Sequence, residues 1–165
     1  MTEQDYLEAL RRSWPRESVP GVSVAALALA DEAVLRFPES PRLWQRRGDL
    51  IQLGDGESAH SLEDALRSYE MAVKLDPGFA EAHESIGYYF DAIDEDLPRA
   101  EAGFLKATQL GGGEYSWAGL ARVIAEQGGP REQILALIDD CPFADASAVQ
   151  EVRQRLEEGF WDPGK

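Results

Sequence analysis

Seven carboxylates fall between Leu75 and Pro98 (Asp76, Glu81, Glu84, Asp91, Asp94, Glu95 and Asp96), with no Lys or Arg among them. Four residues of this stretch, Glu81, Glu84, Tyr88 and Asp91, stand at i, i+3, i+7 and i+10, one face of an α-helix. An acidic strip carrying a tyrosine suits a Lys or Arg side chain, by charge and by cation–π contact. The plainer use of such a strip is a solvated helix face. Upstream, Arg42, Arg46 and Arg47 raise the opposite chemistry, an acidic ligand, because a guanidinium pairs bidentately with a carboxylate. Intrahelical pairing with Asp49 is the competing role for these arginines.

Catalytic chemistry finds little footing. His60 and His83 are the only histidines and belong to different elements, so a metal site from His83 with Glu84 or Asp91 lacks any familiar ligand spacing. The acids from Asp91 to Asp96 lack the glycine and spacing of a calcium loop. Gly111, Gly112 and Gly113 read as a helix terminator, since no strand precedes them and no Lys-Ser follows. Cys141 stands before Pro142 in an expected turn with no evident activator. No cofactor, metal or catalytic residue is expected.

The totals limit the partner. Over 165 residues, 16 basic side chains face 31 acidic ones, a net charge of −15. That charge repels phosphate backbones and anionic lipid, so nucleic acid and membranes are poor partners and a basic protein or peptide is a better one. A single cysteine forms no internal disulfide and suits a reducing cytoplasm. The run from Val19 to Ala33 imitates a secretory leader, with Arg11, Arg12 and Arg16 ahead of it and Ala-Leu-Ala before Asp31. The preceding segment also carries Glu3, Asp5, Glu8 and Glu17. Its Tyr6, Leu7, Leu10 and Trp14 make it an amphipathic helix instead.

The elements that must position these residues come from a repeat. Ala33, Ala72 and Ala107 lie 39 and 35 residues apart, and Pro38, Pro77 and Gly112 follow each by five. Trp44, His83 and Trp117 recur at 39 and 34. Within the period, Leu62, Ala65, Leu66, Tyr69, Ala72 and Val73 form one helical stripe. Ser40-Pro41 opens a helix, and Asp76-Pro77-Gly78 closes one. Gly87 and Ala65 are small where a neighbouring helix has to come close. The expected helices are 3–14, 22–37, 41–53, 60–75, 79–92, 96–110, 114–127, 131–139 and 145–159.

Trp44, Gly48 and Ile51, then Ala65, Tyr69, Ala72 and Pro77, resemble the tetratricopeptide repeat. So do Ile86, Gly87, Phe90, Ala100, Phe104 and Ala107, and more loosely Trp117, Leu120, Ala121 and Ile124. Arg47 departs from the family, which usually places Leu there, as does Gly112 in place of Pro. The resemblance implies an all-α, right-handed α-α superhelix of three to four hairpins with a C-terminal capping helix, in one domain. Residues 1–40 form a degenerate N-terminal hairpin, 41–77 and 78–112 the best repeats, 113–141 a divergent third, and 142–165 the cap and tail.

In that family the first helices of the hairpins line a concave face that holds peptides. Carried over, the partner-binding candidates are Arg42, Gln45, Arg46 and Asp49, then Glu81, Glu84, Tyr88 and Asp91, then Tyr115 and Arg122. Arg42 and Arg46 resemble only two members of the family's five-residue clamp for chaperone tails, so the full clamp is rejected. The expected function is a non-catalytic interaction module for a basic segment. A small acidic chaperone for a basic client, a cryptic metal-dependent hydrolase and self-association are the other readings. The insertion from Leu53 to Ser61 is an alternative binding surface, or a tolerated loop.

Overall fold

The computed structural model describes residues 1–16, 21–54 and 59–164. The leader-like stretch and the insertion therefore lie partly outside the described residues. Nine α-helices run through what is described: α1 (Glu3–Arg12), α2 (Val24–Arg36), α3 (Pro41–Gln52), α4 (Leu62–Leu75), α5 (Ala80–Ala92), α6 (Leu97–Gln109), α7 (Glu114–Glu126), α8 (Arg131–Asp139) and α9 (Ser147–Glu157). Among the described residues no helix is long and apolar enough to cross a membrane.

The helix ends follow local chemistry. Ser40 caps α3 by accepting from the Leu43 N–H, with Pro41 in the first turn, where its missing N–H costs nothing. Ser61 and Asp64 close a capping box on α4, and the hydrogen bond from the Ser61 N–H holds the Asp64 carboxyl below its ordinary range. Gly111 takes a left-handed φ of 84° after α6. The N–H groups of Gly111 and Gly112 donate back to the Thr108 and Ala107 carbonyls, so three consecutive glycines end a helix rather than cradle a ligand.

The chain divides into two compact units, Met1–Ser85 and Ile86–Lys165. In the first, α1 packs on α2 and α3, α2 on α3, and α3 on α4. Tyr6, Leu10, Leu43, Leu50, Ala65 and Tyr69 are among its buried residues. Gly48 of α3 receives the Tyr69 ring of α4, and a Cβ at position 48 would collide with that ring. In the second, α6 packs on α7, α7 on α8 and α9, and α8 on α9. Ala121, Ile134, Ile138, Val149 and Val152 build its core with the buried Cys141. The Phe104 ring of α6 occupies the space left by Gly87 and Gly119, where a Cβ would come within 2.9 Å and 2.5 Å of it. A small residue facing an aromatic ring is thus the recurring unit of helix packing, as crystal-like interior density requires.

Candidate functional site

In the first unit the side chains of α3 divide between an inward network and an outer recess. Gln45 is buried, and the Asp49 side chain is only 13% exposed. Gln45 Nε2 donates to Asp49 Oδ2 at 2.6 Å and to Ser85 Oγ at 3.1 Å, and Ser85 Oγ donates to Asp49 Oδ1 at 3.1 Å. Arg46 pairs with Asp49 at 3.5 Å, and its guanidinium lies 5.0 Å from the Trp14 ring centroid. Burial pushes the Asp49 carboxyl up to about 6, against the opposing pull of Arg46, Ser85, Tyr69 and Gln45. On the outer side Arg11, Arg42, Arg46, Phe79 and Glu81 help to line a recess of about 220 Å³. Arg42 is half-buried there and Glu81 exposed.

A second cluster sits between α2, α3 and α4. Arg47 Nε donates to Asp31 Oδ1 at 2.7 Å, and Arg47 Nη1 donates to Ser68 Oγ at 2.6 Å. Arg47 Nη2 lies 3.3 Å from His60 Nδ1, while His60 Nε2 lies 2.8 Å from Asp31 Oδ2. The guanidinium can only donate, so His60 Nδ1 accepts and Nε2 carries the proton given to Asp31. Sequence reasoning did not assemble this cluster. Its signals were the arginine at a position where the repeat usually has leucine, and a histidine in the insertion.

In the second unit the candidates fall together. Arg122 reaches Asp91 with both terminal nitrogens, Nη1 to Oδ1 at 3.0 Å and Nη2 to Oδ2 at 2.5 Å, and Nη1 also donates to Glu126 at 3.0 Å. The hydrogen bond to Asp91 raises the Arg122 pKa above its ordinary value. Tyr88 stacks edge-on against Phe104, with centroids 4.9 Å apart, and its hydroxyl donates to the Tyr115 carbonyl at 3.5 Å. Tyr88, the exposed Tyr115, Arg122, Arg155 and Trp161 line a pocket of about 300 Å³. Asp91 is therefore neutralised within its own unit, whereas Glu81 is exposed and Glu84 half-buried.

The residues weighed for catalysis are engaged elsewhere. His83 Nε2 donates to the Pro77 carbonyl at 3.1 Å. Burial raises the Cys141 thiol, although the Phe143 N–H donates to its sulfur. Among the described residues no group of three or more His, Cys, Asp or Glu side chains is placed to hold a metal ion.

No family model matches the chain, and no curated protein matches it. Among solved structures it is similar to a thermophilic TPR protein of Thermus thermophilus, with 20% identity and a TM-score of 0.63. The similarity covers 82% of this chain and 71% of that one. The fold is thus the all-helical, TPR-like α-α solenoid class that the repeat implied.

Proposed function

We propose, with the TPR-like fold as premise, that this chain is a non-catalytic module binding a protein or peptide segment, and that the segment is basic. The observation that carries this reading is the run of seven carboxylates from Leu75 to Pro98 without a cation. Asp91 is paired with Arg122, and Asp96 caps α6 by accepting from the Arg99 N–H, so these two are partly committed. Glu81 makes no ion pair among the described residues, and with Glu84 and Tyr88 it is the centre of the proposed contact. The remaining candidates of the same register are Gln45 and Asp49 in the first unit and Tyr115 and Arg122 in the second. A cytoplasmic place of action fits the single cysteine.

A second reading, an acidic ligand, is favoured by Arg11 and Arg42. Neither makes an ion pair among the described residues, and both line the recess of the first unit. The experiment is an affinity capture from source lysate at low and moderate salt with wild type, a Glu81→Lys, Glu84→Lys double variant and Arg42→Glu. A basic protein kept by wild type at low salt and lost by the double variant is the expected result. A partner indifferent to salt and to the double variant overturns the basic-segment reading. Selective loss with Arg42→Glu replaces it with the acidic-ligand one.

A further inference from the structure

We propose that Asp49 is a proton-operated latch in the first unit: as a carboxylate it ties α3 to Ser85 of α5 and holds Arg46 against Trp14, and as an acid it frees Arg46 into the adjoining recess. The inference goes beyond the partner reading and does not depend on it.

The hydrogen-bond pattern dictates where a proton can go. Asp49 Oδ2 already faces two donors, Gln45 Nε2 at 2.6 Å and Arg46 Nη1 at 3.5 Å, so an O–H there would point a donor at donors. Oδ1 faces only the Ser85 hydroxyl, at 3.1 Å. A proton from solvent therefore settles on Oδ1. Ser85 must then turn from donor to acceptor, a change its hydroxyl can make because it has two lone pairs. Its Oγ then accepts from both Asp49 and Gln45 Nε2, and its own proton swings away from Asp49. The charge on Asp49 disappears in the same step. Asp49 is the only ion-pair partner Arg46 has among the described residues, so the guanidinium loses its counter-ion at the recess wall.

Few other groups are placed to counter the change. Arg46 from α3 and Tyr69 from α4 are the titratable groups acting on Asp49. α5 contributes the neutral Ser85 to the network and Glu81 to the recess, and α1 contributes Glu8 and Arg11 to the recess wall. α2 directs Asp31 to Arg47 and His60 instead. Burial of Asp49 brings its titration to about pH 6, where a change of one pH unit alters the occupancy of the latch several-fold.

The test has two readouts on the full chain. Carboxyl ¹³C chemical shifts, assigned by comparison with Asp49→Asn, report the Asp49 titration directly. Tryptophan emission of wild type minus that of Trp14→Phe isolates the indole under Arg46. The expected result is one transition near pH 6 in both signals, with the emission step absent in Asp49→Asn. Titration of Asp49 alongside ordinary surface carboxylates overturns the latch. So does a carboxyl transition near pH 6 with a flat Trp14 signal, since Arg46 would then not follow the proton. Should Asp49→Asn fail to fold, pairing the carboxyl step with the Trp14 step in wild type and Trp14→Phe still decides the matter.

Discussion

Phe104 packs its ring against the bare backbone of Gly119, so closely that an added Cβ would lie 2.5 Å from a ring carbon. The ring is fully buried and also fills the space beside Gly87, where the same addition leaves 2.9 Å. Neither the ring nor the backbone can give way cheaply, because both are fixed by the packing of α6 and α7. Gly119→Ala is expected to destabilise the second unit by about 2 kcal/mol, with Gly87→Ala at or below that. Calorimetry of the two variants checks this, and a Gly119→Ala, Phe104→Leu pair should recover part of the loss.

Asp91 was legible as a charge on the right helix face but not as half of an ion pair, because its partner stands 31 positions away. With the Asp91 side chain 12% exposed and Arg122 23%, this pair is shielded enough for its two hydrogen bonds to count. Asp91→Ala is expected to cost about 2 kcal/mol, somewhat offset because Glu126 remains beside Arg122. A double-mutant cycle with Arg122→Ala measures the coupling, and additive losses would show that the pair contributes nothing. A binding defect in any Asp91 variant must therefore be read beside its stability, which is why Glu81 and Glu84 are the cleaner probes of the acidic face.

Helix existence was readable because it depends on local terms: period, caps and Gly or Pro stops. α5 and α8 begin and end within a residue of expectation, while α1 stops at Arg12 rather than at 14, where Ser13 turns its hydroxyl to the Ala9 carbonyl. What could not be read were the partners of polar side chains across helices. Asp49 was a surface candidate by register, yet Ser85 closes over it from a helix 36 residues on. Arg47 looked like a lapse in the repeat, and only the fold brings Asp31, Ser68 and His60 to its guanidinium. Such pairings depend on rotamers and helix offsets of an ångström or two, which residue spacing does not encode.

Arg47 gives a prediction with two parts. Replacing a satisfied, shielded arginine by an apolar leucine removes desolvation cost along with its hydrogen bonds, so Arg47→Leu is expected to change stability by less than about 1 kcal/mol. Ser68 keeps its bond to the Asp64 carbonyl and His60 keeps Asp31. The lost contact is the one that holds the Nδ1 side of His60. Amide exchange at residues 59–61 should therefore quicken while exchange in α3 and α4 stays put. A stability loss beyond about 2 kcal/mol would instead mean that the cluster carries the packing of the first unit.

Asp49 also leaves a signature in the pH dependence of stability. Its native pKa is raised from 3.8 to about 6, so the native state holds the proton more tightly than the unfolded chain does. Between about pH 4 and pH 6 the native state therefore binds more protons, and this group's contribution falls as pH rises. The penalty is absent below the unfolded value, grows across that window and is complete above pH 6, reaching about 3 kcal/mol at 1.36 kcal/mol per unit. Other acids, among them Asp5 and Asp64 with lowered pKa values, pull the opposite way, so wild type alone mixes the effects. Comparing wild type with Asp49→Asn by urea unfolding at pH 4 and pH 7.5 separates them. The variant should gain on wild type as pH rises through this window, and a difference that does not move with pH would return Asp49 to the ordinary carboxylates.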